Sequence, residues 1–164
     1  MDQDEQGRAG GLPSQDHAAL DAAALLCANN GAQLTPLRRT VLALVLQAPG
    51  PATAYQLLDR LKQTRPGAAP PTIYRALDFL MDQKLVHRIE RLNAFIPCTD
   101  AQHAHGHAHA AQFLICTTCG TVAEIEEPRI SQALAEAAAA QGFHPAHAVV
   151  ELNGTCAACA MAAA

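Results

Sequence analysis

The residues of this 164-residue chain that could do chemistry are its eight histidines and six cysteines, and they are clustered. Cys116 and Cys119 form one Cys-x-x-Cys pair, and Cys156 and Cys159 form a second near the C-terminus. Just before the first pair, His103, His105, His107 and His109 alternate in the run HAHGHAHA. Two intervening residues let both sulfurs of a pair reach one ion from a single turn, and tetrahedral zinc accepts four sulfurs at about 2.3 Å. Cys116, Cys119, Cys156 and Cys159 therefore point to one structural zinc, with Gly120 and Gly154 easing the turns beside them. The competing chemistry is a thioredoxin-like dithiol. That reading needs a pair that opens a helix after a strand in a βαβ unit, and neither pair is expected to do so. Cys27 is read as a core residue of the first helix.

A second set of donors is more scattered. His87 lies on one short β-rich run and Cys98 ends the next, so antiparallel pairing can bring them together. His109 precedes the run QFLIC, and Glu124 ends the run after it. One nitrogen, sulfur, nitrogen and oxygen set drawn from both halves of the chain would suit zinc and would fix the angle between the halves. His144 and His147 are further candidates. Spacing alone does not choose among them, since a single histidine on a strand is more often a surface or satisfied residue than a ligand.

The elements that must position these groups follow from periodicity and punctuation. Residues 1–15 are polar and Gly-rich and are expected to be disordered. Asp16 to Asn29 reads as a helix stopped by Asn30-Gly31. Thr35-Pro36 caps and opens a second helix, with Leu37, Val41, Leu44 and Val45 on its apolar face. Thr53 caps a third, TAYQLLDRLKQ, with Leu57, Leu58 and Leu61 inward. After the break RPGAAPP, Thr72 or the prolines start a fourth helix, TIYRALDFLMDQ, which places Ile73, Ala76, Leu77 and Leu80 on one face and turns Tyr74, Arg75 and Asp78 away. LVHRIE and AFIPC flank an Asn-containing turn and read as a hairpin, with Pro97 at an edge. Helices followed by a hairpin make an α+β winged helix-turn-helix over residues 16–98. A His-rich hinge over 99–111 leads to a small α/β unit over 112–164: strand (QFLIC), tight turn, strand (TVAEI), helix (128–140) and strand (HAVVEL). That unit is too small to be held by core burial alone, so it needs a staple or a partner chain.

The formal net charge is −4, yet nine of the eleven Lys and Arg lie between Arg38 and Arg91 against four acids, leaving that stretch about five charges positive. The asymmetry points to a basic functional face. In a winged helix the helix next to the hairpin enters the major groove. Arg75 suits a guanine or a phosphate there, and Tyr74 a thymine methyl or the backbone. Arg38, Arg39, Tyr55, Lys62, Arg65 and Arg88 suit phosphates, which position a duplex without reading it. No run of eighteen apolar residues exists, so no membrane span is expected. The N-terminus MDQDEQGRAGG lacks a secretory pattern, and the chain is read as cytoplasmic, where thiols stay reduced. H-E-x-x-H is missing, as is the deaminase pattern of H-x-E with P-C-x-x-C, and a four-sulfur zinc leaves no open position for water; an enzyme is not expected. A metal-storage role, suggested by the His tract alone, leaves the basic half unexplained.

The segments LTPLR, AYQLL, PPTIYRALDFL, LVHRIE, FLICTTCG and CAAC together resemble the ferric-uptake-regulator family, over roughly residues 20–160, and within it the zinc-responsive branch. The resemblance implies a dimeric repressor with an N-terminal winged helix and a C-terminal dimerisation domain. Such proteins bind operator DNA when zinc-loaded and silence zinc-acquisition genes; the alternative within the family is a sensor of iron, manganese or peroxide. It implies that Cys116, Cys119, Cys156 and Cys159 hold structural zinc, and that His87, Cys98, His109 and Glu124 hold regulatory zinc. The thiolate of Cys98 favours zinc over iron or manganese. It further implies that Tyr55 and Arg75 contact DNA, and that Asp59 and Lys62 bridge neighbouring dimers. His103, His105 and His107 admit two readings: a further site completed by His147, or a solvated loop. The expected complement is two or more Zn2+ per protomer, with duplex DNA and a second copy of the chain as partners, no membrane, and no small-molecule substrate beyond the metal ion.

Overall fold

A computed structural model of the chain describes residues 14–98, 111–145 and 148–162. Of the segment 1–15 expected to be disordered, residues 1–13 lie outside the described residues, while Ser14 and Gln15 form the start of the first helix, which begins two residues before the expected Asp16. Most of the hinge (99–110), and with it His103, His105, His107 and His109, as well as His147, also lie outside the described residues.

Four helices open the chain: α1 (Ser14–Asn29), α2 (Pro36–Leu46), α3 (Ala54–Thr64) and α4 (Pro70–Asp82). Their starts are chemical. Thr35 caps α2 by accepting from the Arg38 amide, with Pro36 at the first helical position. Thr53 and Gln56 form a reciprocal capping box on α3, which satisfies two amides that otherwise lack partners. Pro70 and Pro71 open α4, where a missing N–H costs nothing. α2 is the central helix: Leu42 and Ala43 are buried beside Val41 and Val45, so its buried face is wider than one stripe because α1, α3, α4 and a strand all pack on it. Cys27 is fully buried in this core, as expected, and burial pushes its thiol pKa up against the opposing charge of Arg38. Arg39 ties α1 to α2 through Asp21 at 2.6 Å and the Leu20 carbonyl at 3.0 Å, so its guanidinium is engaged within the fold rather than aimed at phosphate.

The expected hairpin is β2 (Val86–Ile89) and β3 (Ala94–Pro97), closed by a turn in which Asn93 takes φ +46°. A two-residue strand, β1 (Ala52–Thr53), pairs with β3 and completes a sheet of order β1-β3-β2. Strand alternation gives the hairpin two apolar faces. Val86 and Phe95 enter the helical core. Ile89 and Ile96 enter a second cluster with Phe113 and Ile115.

Phe113 and Ile115 belong to β4 (Ala111–Cys116), the centre of a second sheet of order β5-β4-β6. β5 (Val122–Ile125) is antiparallel to β4, and β6 (Val149–Gly154) is parallel to it. Helix α5 (Pro128–Ala140) joins β5 to the segment before β6, and α6 (Ala157–Ala162) ends the described chain. The last strand runs two residues further than the expected HAVVEL, because parallel pairing continues until Gly154 stands opposite Cys116. No residue of α5 or α6 is buried, while Leu134, Phe143, Leu152 and Met161 are exposed. The second cluster holds four buried residues, two of them lent by the hairpin. The small C-terminal unit does lack an adequate core of its own.

Phe113→Ala would empty the space between hairpin and sheet. We expect a stability loss of about 3–5 kcal/mol, read as a lower urea midpoint, with the helical core unaltered by near-native circular dichroism below the transition.

Candidate metal centres and nucleic-acid face

The first Cys pair sits where β4 ends. Cys116 is the last residue of the strand; the Gly120 amide returns to its carbonyl at 3.0 Å, and Gly120 takes φ +75°, a conformation that favours glycine. Gly154 plays a different part from the expected turn: it ends β6, and its carbonyl accepts from both the amide (2.8 Å) and the hydroxyl (3.1 Å) of Thr117. That pairing carries the second Cys pair to the first. The sulfurs of Cys116, Cys119, Cys156 and Cys159 all lie within 4.8 Å of one another. Ligands of one tetrahedral zinc with Zn–S near 2.3 Å stand about 3.8 Å apart, and Cys119 Sγ and Cys156 Sγ are 3.8 Å apart.

The second pair departs from expectation in one respect. It does open a helix, α6, after strand β6, because the chain turns helical as soon as parallel pairing ends. No strand follows among the described residues, and four convergent thiols, rather than two, separate the arrangement from a dithiol. Their protonation agrees. The Cys116 thiol is lowered to about 5 by the amides of Cys119 and Cys156, while Cys159 is pushed up to about 12 by neighbouring Cys156 and Cys119. The Thr121 hydroxyl, 3.1 Å from Cys119 Sγ, leads the lowering there. Four adjacent thiolates repel, so the cluster without a cation keeps a proton; a divalent ion lets all four ionise. The donor set fits zinc.

The second centre forms at the junction. His87 and Ile96 are cross-strand partners, and the Cys98 amide continues the ladder to the Leu85 carbonyl at 3.0 Å, so His87 and Cys98 share the hairpin face turned to the second sheet. Glu124 reaches them from β5, and one ligand atom from each of His87, Cys98 and Glu124 lies within 4.8 Å of the others. His87 Nε2 stands 3.1 Å from Glu124 Oε1, yet it is buried without a hydrogen bond of acceptable direction. Phe113 packs edge-on against the His87 ring, at 5.3 Å between centroids. A buried nitrogen grouped with a thiol and a carboxylate, all within reach of one ion, could serve as a metal ligand. Burial alone would lower the His87 pKa; Cys98 and Glu124 overcome it and raise it from 6.5 to about 9. His109, the fourth residue of the expected set, is among the undescribed residues.

In the helical half, Tyr74, Arg75 and Asp78 are exposed on α4 as the helical pattern requires. Tyr55 is 66% exposed on α3, and Asp59 and Lys62 lie one and two turns further along the same exposed stripe. Arg38 is half-buried: its guanidinium covers the Phe79 ring at 3.5 Å and donates to the Gln33 carbonyl at 2.8 Å, which holds it at the start of α2. Sequence reasoning did not anticipate the roles of Phe79 or Thr121, nor that Glu151 accepts from the Glu90 and Arg91 amides. Of the three, only Thr121 carried a signal, a hydroxyl two residues from a ligand cysteine.

Cys119→Ser should release one tightly held zinc per chain and unfold the C-terminal unit, since such an ion supplies on the order of 10 kcal/mol of folding free energy; metal analysis with limited proteolysis reads both. The raised pKa of His87 stabilises the metal-free fold fully below pH 6.5, and this contribution is lost as pH rises through about 9. Zinc needs the neutral ring, so its affinity for this centre should climb over the same window. Displacing the His87 proton alone gives about tenfold per pH unit, and competition titrations should show the climb levelling off near pH 9.

The profile of the Ferric uptake regulator family matches residues 29–153. The zinc uptake regulation protein of Escherichia coli K12 is 40% identical over 134 residues, 82% of this chain and 77% of that protein. Among solved structures, a zinc uptake regulator complexed with zinc and DNA superposes with a TM-score of 0.85 at 36% identity, covering 92% of this chain and 99% of that one. Holo XcZur superposes at 0.79 with 40% identity, covering 88% and 98%. On the strength of the matched span and of a relative 40% identical over most of the chain, the chain belongs to the ferric uptake regulator family.

Proposed function

We propose that this chain is a zinc-responsive transcriptional repressor that binds operator DNA as a zinc-loaded dimer and turns down zinc-acquisition genes. One observation carries the reading: the donors His87 and Cys98 come from the DNA-binding half and Glu124 from the other half. Zinc bound there supplies a tetrahedral cross-link between the two. His109 is the fourth ligand in this reading, and His103, His105, His107 and His147 are candidates for an additional site. Two or more zinc ions per protomer follow, with Cys116, Cys119, Cys156 and Cys159 taking the structural one. The soft thiolate of Cys98 selects zinc over iron or manganese, which sets the reading apart from an iron, manganese or peroxide sensor.

The domain limits go with it: a winged-helix domain over 16–98, a hinge over 99–111 and a dimerisation domain over 112–164. Exposed Leu134, Phe143 and Leu152 on the second unit are the kind of apolar surface that a second copy covers. In the dimer two α4 helices face successive major grooves. Arg75 and Tyr74 read or brace base edges, Arg38 and Tyr55 hold phosphates, and Asp59 and Lys62 pair with the neighbouring dimer. Arg38 is suited to its role because Phe79 already restricts its side chain, which lowers the entropy lost on binding. No described helix is long and apolar enough to cross a membrane. We place the protein in the cytoplasm, acting on DNA without enzymatic chemistry.

Arg75→Ala should weaken operator binding by about 1–3 kcal/mol and leave zinc content unchanged in the same preparation. Cys98→Ser should keep the dimer and the four-sulfur zinc, lose one zinc per chain, and abolish the zinc dependence of a gel shift. A wild-type shift that responds to manganese or iron(II) but ignores zinc would overturn the reading.

A further inference from the structure

The hairpin touches the second sheet at more places than the metal centre. Glu124, Phe113 and Glu151 form one row across that sheet, since Phe113 is the cross-strand partner of Glu124 on β5 and of Glu151 on β6. Directly opposed residues point to the same face. All three side chains therefore rise toward the hairpin. Glu124 meets His87, and Phe113 packs on the His87 ring. Glu151 meets the other end: its Oε1 accepts from the Glu90 amide at 2.6 Å and its Oε2 from the Arg91 amide at 3.3 Å. Those amides belong to the turn that joins β2 to β3. The spacing matches as well. Two carboxylates two strands apart are separated by about 10 Å, and so are His87 and Glu90, three extended residues apart. Strand β2 thus lies along the row, held by an acid at each end with the Phe113 ring between them.

We propose that Glu151 is a positioning residue for the regulatory centre: a metal-independent latch that seats the hairpin on the second sheet so that His87 and Cys98 arrive opposite Glu124. The inference rests on the zinc-sensing reading of that centre. One carboxylate caps two consecutive amides, which is a charge-assisted arrangement stronger than neutral pairs. The turn is also braced from within, because Arg88 donates to Asn93 Oδ1 at 3.1 Å and pairs with Glu90 at 3.3 Å. A turn that is rigid in itself transmits a hold at its tip to the strand that carries His87. Without Glu151 the described contacts of the hairpin with the second sheet are its apolar packing on Phe113 and Ile115, non-directional and tolerant of rocking, and the single approach of His87 to Glu124. Part of the binding free energy of zinc would then be spent on alignment, and the apparent affinity would fall by the fraction of hairpins correctly seated.

The test uses the full-length dimer with its four-sulfur zinc retained, comparing wild type, Glu151→Gln, Glu151→Ala and Cys98→Ser. Amide hydrogen exchange at Glu90 and Arg91 reads the latch directly, and competition titration reads zinc affinity at the regulatory centre. We expect exchange to quicken and zinc affinity to drop in the order Glu, Gln, Ala, by roughly tenfold for Glu151→Ala. Operator binding at saturating zinc should return close to the wild-type level, because metal can still impose the alignment. Faster exchange with unchanged zinc affinity would make Glu151 merely structural and overturn the proposal, as would unprotected Glu90 and Arg91 amides in the wild type. If Glu151→Ala fails to dimerise, the Gln variant and the wild-type exchange pattern decide alone. Equal zinc content in wild type and Cys98→Ser would instead sink the sensing reading itself, whatever the Glu151 variants do.

Discussion

The structure depends on a hairpin that is shared by two cores. β2 and β3 are only four residues each, yet alternation sends Val86 and Phe95 into the helical core and Ile89 and Ile96 against Phe113 and Ile115. A rigid-body change in how the second sheet meets the hairpin is therefore passed straight to α4, the helix before it. The same alternation decides the chemistry. His87 and the Cys98 that follows β3 lie on the Ile89–Ile96 face, so the metal donors and the inter-domain contact occupy one surface. A one-residue slip of β2 against β3 would put His87 and Cys98 on opposite faces and dissolve the set.

The two metal centres answer different shortages. The C-terminal unit contributes only Phe113 and Ile115 to the second cluster and buries nothing from α5, so it cannot hold a sheet and helix by area alone. In the proposed reading, zinc on the four sulfurs would close it covalently in effect, joining the ends of parallel neighbours β4 and β6. The centre at His87 has no such duty, since apolar contacts already join hairpin to sheet. In the proposed reading it completes the alignment that apolar packing and Glu151 only begin, and a distinction between staple and aligner accords with one centre being all sulfur and the other mixed. Tight, inert binding suits thiolates alone. A centre that fills and empties suits fewer charges and a histidine that can hold a proton instead.

Local chemistry made much of this legible in the residues. Thr35, Thr53 and the Pro70-Pro71 pair announced helix starts, the turn with Asn93 announced the hairpin, and the paired cysteines announced the first centre. Two short elements escaped. β1 has two residues and α6 six, too few for any period to show. The late end of β6 escaped as well, because parallel pairing with β4, a long-range fact, decides it. The set of His87, Cys98 and Glu124 was weak by spacing and rested on family resemblance; what brings it together is the register of two separate sheets. Glu151 carried no signal at all, for a carboxylate that accepts from distant backbone amides looks like any surface acid.

The central claim is that metal held by hairpin and sheet fixes the attitude of α4. The most direct measurement places spin labels on exposed positions of α4 and α5 and follows the distance distribution as the regulatory centre is filled and stripped, with the four-sulfur zinc left in place. The account predicts a broad distribution that collapses to a single narrow one when zinc is added, and no collapse in Cys98→Ser. A distribution that is equally narrow with and without zinc would contradict it.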